Sequence, residues 1–248
     1  MKPDIYFHYS SNNEESSQQA AQVIVEGCRR SIEEKNLFTL VLSGGRTPAR
    51  LYELLSSPPL AGKIPWGMVH IFWSDERYLP PTHEESNFFL AQDFLLRKIE
   101  IPRGNIHRIP TDGGSPAEDA ARYQDEIMRF FAQEAKTAPA VIPRFDLILL
   151  GLGTDGHTAS LFPGSPLLTE GKLLVAAVSE PAGIPPVPRI TFTFPLLNQG
   201  KRVVFLAGGR EKLSLIEKIQ EGLQTGKPFY PAAMVVPEGR LDWFISSR

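Results

Sequence analysis

The sequence predicts an α/β fold with one doubly wound, mostly parallel sheet and helices on both of its faces. Apolar runs such as residues 147–150 (Leu-Ile-Leu-Leu) have the composition of strands buried on both sides, which is typical of parallel sheets. These runs alternate along the chain with amphipathic segments of helical period, and this alternation indicates β–α units. Because no linker or internal repeat interrupts the pattern, we expect residues 1–248 to form a single domain.

The expected elements follow one another along the whole chain. Strands are predicted at residues 4–9, 37–42, 68–73, 105–109, 147–150, 173–178, 189–194, 203–206 and 232–236. Helices are predicted at residues 14–35, 86–98, 118–134 and 213–221. A further helix is expected to begin after Thr47, a good N-cap residue that Pro48 follows. Residues 136–143 and 181–188 are predicted to be proline-containing connections.

Composition and charge narrow the classes of protein. The chain has 42% hydrophobic residues, a net charge of −2 and no basic stripe, so we expect neither a nucleic-acid partner nor binding to a membrane surface. Cys28 is the one cysteine, which excludes an intramolecular disulfide and a multi-cysteine metal site. Since the N-terminus lacks the apolar core of a signal peptide, we expect a soluble cytoplasmic protein. The absence of an obvious hydrophobic surface stripe favours a monomer.

A glycine-rich turn follows the second predicted strand. Ser43, Gly44 and Gly45 lead into the helix that is expected after Thr47. Glycines let the backbone approach a ligand, and a helix N-terminus presents free N–H groups, so this turn is suited to hold a phosphate group. An ordinary strand-to-helix turn explains the same residues equally well, and the Walker pattern is absent.

Polar residues also interrupt the chain after the apolar run 147–150. Asp155 and His157 lie in a glycine-rich stretch at the expected carboxyl end of this strand, where open α/β sheets bind their ligands. The glycines of residues 151–156 also fit the Gly-x-Gly-x-x-Gly dinucleotide fingerprint. We disfavour dinucleotide binding, because Pro163 cuts short the helix that the fingerprint requires.

Charged residues follow the strand that is predicted at 68–73. Asp75, Glu76 and Arg77 come directly after it, which places charge at the same edge of the sheet as the other two sites. A solvated loop, in which Arg77 pairs with a neighbouring acid, is the alternative interpretation. His83 is expected to fix the conformation of this loop.

Several short motifs therefore lie at the predicted strand ends. They are Ser43-Gly-Gly-Arg-Thr-Pro48, Asp75-Glu-Arg77 with His83 and Ser86-Asn87, Gly151-x-Gly-x-Asp-Gly-His157, Phe162-Pro-Gly-Ser165, Arg189-Ile-Thr191, and the segment from Gly208 to Lys212. This combination resembles the enzyme family that contains 6-phosphogluconolactonase and glucosamine-6-phosphate deaminase, and the resemblance spans nearly the whole chain. It implies a Rossmann-like sheet and a sugar phosphate as the small-molecule partner.

Two segments separate the activities within this family. The deaminases carry Asp-Glu-Tyr where this chain has Asp75-Glu-Arg77. They also carry the motif Gly-His-Ile-Ala-Phe-Asn-Glu-Pro, in which Leu161 and Phe162 of this chain replace the Asn-Glu pair before the proline. The glutamate that is missing here assists the ring-opening histidine of the deaminases. The resemblance therefore implies hydrolysis of 6-phospho-D-glucono-1,5-lactone to 6-phosphogluconate, the second step of the oxidative pentose phosphate pathway. It implies no metal and no cofactor.

The resemblance also implies roles for individual residues. His157 is expected to be the general base that activates water, because a neutral imidazole accepts protons near neutral pH. Asp155 either orients this imidazole or only shapes the turn, and Arg77 binds either the oxyanion or a lactone hydroxyl. Asp75 is the remaining catalytic candidate. The residues expected to bind the phosphate are Ser43, Gly44, Gly45, Arg46, Thr47, Arg189 and Lys212. For Arg189 and Lys212 a surface charge without a ligand is the alternative.

Three other functions stay open at this point. A sugar-phosphate deaminase would use Asp75 and Asp155 for proton transfer, and it would release ammonia. A sugar-phosphate-binding module without activity is the second alternative, although no DNA-binding segment accompanies the predicted fold. Dinucleotide binding at residues 151–156 is the third, and a nucleotide titration would test it. Fold class alone does not choose among these functions.

Overall fold

A computed structural model describes residues 4–45, 47–135, 142–179 and 183–247. Its main element is a seven-stranded sheet in which every pair of neighbouring strands is parallel. Across the sheet the strands lie in the order β1 (Asp4–Ser10), β10 (Arg240–Ser246), β9 (Arg202–Gly208), β6 (Leu147–Gly151), β2 (Phe38–Leu42), β3 (Val69–Trp73) and β5 (Ile106–His107).

The sheet changes its winding direction between β2 and β6. From β2 the chain proceeds to β3 and β5 on one side, whereas β6 lies on the other side of β2 and is followed there by β9 and β10. Both β2 and residues 147–150 of β6 are buried along their length, as expected for strands that are covered on two faces. The predicted doubly wound, mostly parallel sheet is confirmed. Such a reversal places a ligand crevice at the carboxyl ends of the two strands.

Helices cover both faces of this sheet. The described α-helices are α1 (Asn13–Lys35), α2 (Thr47–Leu55), α3 (Asn87–Phe94), α4 (Pro116–Ala135), α5 (Phe194–Leu197) and α6 (Leu213–Thr225). On one face the ring of Phe72 in β3 lies 5.3 Å from that of Phe130 in α4. The adjacent Trp73 points to the opposite face, and its ring lies 5.5 Å from that of Phe88 in α3.

The predicted helices agree with the structure, with small differences at their ends. The helix predicted at 86–98 is α3 followed by a 3₁₀ helix, Leu96–Lys98, and the hydroxyl of Ser86 caps its start. Thr47 is the first residue of α2 and not the N-cap that the sequence predicts. The connections predicted at 136–143 and 181–188 lie partly outside the described residues. Within the described part of the chain, no helix is long and apolar enough to cross a membrane.

A second, smaller sheet is a feature that the sequence does not predict. It is antiparallel and consists of β4 (Asp75–Arg77), β8 (Arg189–Phe192) and β7 (Val175–Val178). The strands predicted at 173–178 and 189–194 thus belong to this sheet and not to the central one. Because all three residues of β4 are charged, no apolar pattern indicates a strand there. A single residue, Ser74, separates β4 from β3, so the small sheet adjoins the carboxyl end of β3.

The strand predicted at 232–236 is wrong. Pro231–Met234 form a 3₁₀ helix, which suits a proline at the first position because its φ is already helical. The last strand is β10, which pairs with both β1 and β9. The sequence does not indicate this strand, because it contains Asp242 and aspartate is rare in strands. In the structure the Asp242 carboxylate is buried and accepts hydrogen bonds from the guanidinium groups of Arg202 and Arg240.

Candidate active site

The loops that follow β2, β3, β6 and β9 meet at one edge of the sheet and enclose a cavity of about 300 Å³. Because these strands are parallel neighbours, their carboxyl ends lie side by side. A cavity of this volume accommodates a small molecule. Of the residues that the sequence predicts for the site, those lining the cavity are Ser43, Gly44, Gly45, Thr47, Asp75, Arg77, His157, Arg189 and Lys212. Arg46 lies outside the described residues.

Asp155 does not line the cavity, but its side chain contacts the imidazole of His157, which does. Its carboxylate accepts hydrogen bonds from Nδ1 of His157 at 2.5 Å and from the His157 backbone N–H at 3.1 Å. A proton on Nδ1 leaves the lone pair on Nε2, and none of the described residues hydrogen-bonds to Nε2. Burial acts to raise the pKa of Asp155, but the hydrogen bonds from His157 outweigh it and hold that pKa below its usual range. The carboxylate is therefore ionised beside the imidazole at neutral pH.

Glycines allow the tight turn that brings these two side chains together. Gly156 has a φ of +84°, in the left-handed region that favours glycine. A Cβ atom on Gly153 would lie 2.1 Å from Nδ1 of His157, so a side chain there would displace the imidazole. The Gly153 N–H donates to the His157 carbonyl oxygen at 2.9 Å and closes the turn.

The glycines of this turn are not followed by the helix that dinucleotide binding needs. The next helical segment in the described chain is the short 3₁₀ helix Pro166–Thr169. The dinucleotide interpretation therefore lacks its structural requirement, since the pyrophosphate would bind at a helix N-terminus that is not there. The described residues also contain no group of three or more His, Cys, Asp or Glu side chains arranged to hold a metal ion.

The glycine-rich turn after β2 is held between two elements. The hydroxyl of Tyr52 in α2 donates to the carbonyl oxygen of Ser43 at 2.6 Å and accepts from the Ser43 N–H at 3.2 Å. On the other side a Cβ atom on Gly44 would lie only 1.8 Å from Oδ1 of Asn87. The backbone of the turn and Thr47, the first residue of α2, line the cavity. This arrangement suits an anion, because N–H groups and the positive end of the helix dipole lie together.

The start of a second helix lies close to the first. Lys212 immediately precedes α6 and lines the cavity, as does Gly208 at the end of β9. A Cβ atom on Gly208 would lie 3.8 Å from the side chain of Thr47. The N-termini of α2 and α6 therefore lie at the same corner of the cavity, and Lys212 adds a full positive charge there.

Two arginines stand side by side at the cavity wall. Arg77 and Arg189 are directly opposite each other in the β4–β8 ladder, and Arg189 is only 3% exposed. The Arg189 guanidinium donates to the carbonyl oxygen of Pro185 at 3.0 Å, and that of Arg77 donates to the carbonyl oxygen of Glu85 at 2.6 Å. Burial lowers the pKa of Arg189, whereas the charge of Asp75 opposes this shift. Since like charges directly opposite each other are unfavourable, the pair suits an anionic ligand.

Asp75 is a buried residue of a strand and not part of a solvated loop. Its side chain is 5% exposed, and its Oδ2 accepts a hydrogen bond from the hydroxyl of Ser160 at 2.8 Å. The hydroxyl of Ser74 lies at 3.4 Å from Oδ1. The backbone oxygen of Asp75 accepts from Nδ2 of Asn87 at 2.8 Å. Asp75 thus connects α3 to the turn that carries His157.

Glu76 has a structural role that the sequence analysis does not predict. Along β4 its side chain points to the face opposite to that of Asp75 and Arg77. It accepts hydrogen bonds from the N–H groups of Asn87 at 2.7 Å and Phe88 at 2.8 Å and from the Ser86 hydroxyl at 3.0 Å. These contacts fasten the start of α3 to β4. Burial raises the pKa of Glu76 to about 7, although the hydrogen bonds act in the opposite direction. The loop between the two elements is also ordered by His83, whose Nδ1 accepts from the Glu85 N–H at 3.1 Å.

Comparison with known proteins places this site in a family. A sequence model of the glucosamine-6-phosphate isomerases/6-phosphogluconolactonase family matches residues 11–243. The chain belongs to this family, as its motifs predict.

Individual relatives agree with this assignment. A 6-phosphogluconolactonase of Synechocystis is 39% identical over 237 residues, which cover 96% of this chain and 93% of the relative. One from Nostoc is 36% identical over 217 residues, covering 88% and 85% of the two chains. The crystal structure of 6-phosphogluconolactonase from Thermotoga maritima superposes with a TM-score of 0.82 at 31% identity and covers 98% of this chain and 100% of that one. The predicted Rossmann-like fold and the prediction of an enzyme of the 6-phosphogluconolactonase kind are confirmed.

Proposed function

We propose that this chain, acting as a single domain, hydrolyses 6-phospho-D-glucono-1,5-lactone to 6-phosphogluconate, the second step of the oxidative pentose phosphate pathway. The observation that carries the proposal is the presence in one cavity of an oriented imidazole, His157, and of a paired-arginine anion site, Arg77 and Arg189. The relatives' names support the choice of substrate.

The phosphate group binds at the corner where two helices begin. Gly44, Gly45 and Thr47 offer backbone N–H groups and the positive end of α2, and Lys212 supplies a charge in front of α6. Arg189 completes the site from the small sheet, because a guanidinium group binds phosphate in a bidentate manner. A fixed set of cations matches a dianion better than a neutral sugar, so this corner selects for the phosphorylated lactone.

The chemistry needs a base for water and a positive group near the carbonyl oxygen. Nε2 of His157 removes a proton from water while the water oxygen bonds to the lactone carbonyl carbon. The tetrahedral oxyanion forms beside the guanidinium group of Arg77, which stabilises it. The bond from this carbon to the ring oxygen then breaks, and the imidazolium returns its proton to that oxygen. The product is an acid that ionises in solution, and the histidine is neutral again. The sequence of steps uses no metal and no cofactor.

The deaminase alternative would need a glutamate beside the reacting histidine, in addition to the carboxylate of Asp155. At that place the ring of Phe162 packs 4.5 Å from the imidazole of His157. A phenyl ring can neither accept a proton nor orient an imidazole by hydrogen bonding. This contact favours hydrolysis over deamination. The monomeric state and the cytoplasmic location stay predictions from the sequence.

The test is a comparison of lactone hydrolysis by the wild type and by His157→Ala with spontaneous opening at fixed pH. We expect fast hydrolysis by the wild type and a variant rate close to the blank, a loss of about 10²–10⁴-fold. If the variant were as active as the wild type, the chain would still be a lactonase, but His157 would not be its general base. A wild-type rate equal to the blank would overturn the proposal, and ammonia release from glucosamine 6-phosphate would then be measured.

A further inference from the structure

One buried serine links the two halves of the cavity wall. Ser160 is 0% exposed, and its hydroxyl donates to Oδ2 of Asp75 at 2.8 Å. Its backbone N–H donates to Oγ1 of Thr191 at 3.1 Å. Asp75 and Thr191 are directly opposite each other in the β4–β8 ladder. Both hydrogen bonds of Ser160 therefore end on one cross-strand pair of the small sheet, which we call the Asp75–Thr191 rung. They attach the turn that follows His157 to this rung.

The turn between His157 and this rung is held in a conformation that it would not adopt alone. Ala159 has a φ of +47°, in the left-handed region, which is unfavourable for a residue with a Cβ atom. The hydroxyl of Thr158 donates to the carbonyl oxygen of Gly151 at 2.9 Å, and the Leu161 N–H donates to the Thr158 carbonyl oxygen at 2.9 Å. Backbone strain of this kind persists only where the surrounding contacts impose it. Ser160 supplies two of those contacts.

The carboxylate of Asp75 is placed to hold this serine. A buried carboxylate requires hydrogen-bond donors. Among the described residues, the Ser160 hydroxyl is the donor nearest to the Asp75 carboxylate, at 2.8 Å, and the Ser74 hydroxyl lies farther away, at 3.4 Å. The positive charge of Arg189 acts on the same carboxylate.

We infer that Ser160 is a positioning residue for the reaction, and that Asp75 acts through it. The Asp75 carboxylate accepts a hydrogen bond from the Ser160 hydroxyl, and Thr191 accepts one from the Ser160 backbone. These two hydrogen bonds fix the position of the turn and therefore the position of the His157 imidazole in the cavity. Asp75 is then no proton-transfer group. The inference rests on the proposed lactone hydrolysis, and it gives Asp75 a role different from the one that the sequence motif implies.

The experiment compares Ser160→Ala, Asp75→Asn and the double variant with wild type, measuring kcat and KM for the lactone with the blank subtracted. Ser160→Ala releases the turn, so we expect kcat to fall roughly 10- to 100-fold with KM within about threefold. The amide oxygen of Asp75→Asn still accepts from the serine, so its kcat should stay within about fivefold of wild type. The double variant should be no slower than Ser160→Ala alone, because the two residues act as one unit.

Ser31→Ala is the matched control for the loss of a buried serine. The hydroxyl of Ser31 is also buried and donates to the carbonyl oxygen of Leu37 at 2.6 Å, far from the cavity. We expect this variant to lose thermal stability while kcat is unchanged. A kcat for Ser160→Ala equal to that of the control would overturn the inference. A loss of more than about 10³-fold in Asp75→Asn, multiplied in the double variant, would also overturn it and make Asp75 a proton-transfer residue.

A second measurement does not depend on lactonase activity. The ¹⁵N and ¹H resonances of the His157 ring report its surroundings, and we expect them to shift in Ser160→Ala and not in Ser31→Ala. If the wild type does not hydrolyse the lactone, the proposed function fails, and these resonances alone decide the positioning role. Unchanged resonances in Ser160→Ala would then overturn it.

Discussion

The ring of His157 hydrogen-bonds to one carboxylate, that of Asp155, and this contact allows a prediction at the scale of a single residue. Asp155→Asn replaces an obligatory acceptor by an amide, whose NH₂ group can face Nδ1 and stabilise the wrong tautomer. We expect kcat for lactone hydrolysis to fall at least tenfold, with KM little changed. Steady-state rates of the purified variant at neutral pH measure this, and Asp93→Asn, which alters an exposed pair with Arg97, is the control. Wild-type rates would mean that Asp155 only shapes the turn.

It could be predicted from the sequence that most of these motif residues meet at one cavity, but the contacts between their side chains could not be predicted. Short motifs at strand ends indicate His157, Asp155 and Arg77, because glycine and polar residues directly after a buried strand are typical of a ligand site. A separation of two residues does not fix the contact between Asp155 and His157, which depends on the positive φ of Gly156. The position of Arg189 opposite Arg77 depends on the register of two strands that are far apart in sequence.

At the scale of an element, the turn after β2 packs tightly against Asn87 at Gly44. Gly44→Ala would place a Cβ atom 1.8 Å from Oδ1 of Asn87, so either the turn or the Asn87 side chain has to move. We expect KM for the lactone to rise about tenfold or more, and the free energy of unfolding to fall by about 1–3 kcal/mol. Enzyme kinetics and urea denaturation measure the two effects. Gly67→Ala is the control, since nothing lies within 4 Å of its Cβ position.

An unchanged KM in Gly44→Ala would contradict a close contact between the substrate and this turn. If stability fell as expected while KM did not change, the turn would be structural and the phosphate would bind elsewhere. The binding of inorganic phosphate, followed by calorimetry, distinguishes these outcomes without using the reaction.

The attachment of α3 to β4 predicts a pH dependence of stability. The pKa of Glu76 is about 7 in the folded protein and about 4.3 in an unfolded chain. Because the folded state holds this proton more tightly, the contribution of Glu76 to stability is fully present below about pH 4 and is lost as the pH rises through about 7. The free energy of unfolding of wild type minus that of Glu76→Gln should therefore decrease between pH 5 and 7.

Urea denaturation of both proteins at several pH values tests this prediction. Glu84→Gln, which alters an exposed carboxylate of the same loop, is the control. A difference for Glu76→Gln that does not change with pH would contradict the prediction. It would mean that the three hydrogen bonds from α3 and Ser86, and a fourth from the Arg77 N–H, keep the Glu76 carboxylate ionised in spite of burial.

Elements with a clear apolar period could be predicted, and those without one could not. The sequence predicts the strand β2 and the helix α1 because their apolar side chains, which pack against neighbouring elements, recur with the period of a buried strand or of a helix. The strand β4 consists of three charged residues, and β10 has Asp242 as its third residue. Both become strands because the fold supplies hydrogen-bond donors to their carboxylates, and no local pattern shows such distant donors.

On the scale of the whole molecule, two buried carboxylates join most of the sheet at the edge opposite the cavity. Asp146, just before β6, accepts from Thr39 in β2 and from Lys201 next to β9. Asp242 in β10 accepts from Arg202 in β9 and contacts His8 in β1 at 2.8 Å. The charges that stabilise the sheet are therefore separated from the charges that bind a ligand. A change at one edge can alter stability without altering the chemistry at the other.

Asp242→Asn tests this separation. The carboxylate is 0% exposed and has basic partners on three strands, so the substitution leaves the charges of Arg202 and Arg240 without their negative partner. We expect the free energy of unfolding at neutral pH to fall by about 3 kcal/mol. Although burial acts to raise the pKa of Asp242, the hydrogen bonds from Arg240, His8 and Arg202 hold it below its usual range. Its stabilising contribution is therefore present above about pH 4 and is lost as the pH falls through its folded pKa.

The measurement is urea denaturation at pH 7 and at pH values below 4, together with kcat at a temperature where both proteins are folded. The difference between wild type and Asp242→Asn should shrink in acid, and kcat should be the same for both. Glu33→Gln, which removes one member of an exposed pair with Arg29, should cost less than about 1 kcal/mol at any pH. A tenfold lower kcat in Asp242→Asn would contradict the separation, because it would mean that the network at one edge of the sheet sets the geometry of the cavity at the other.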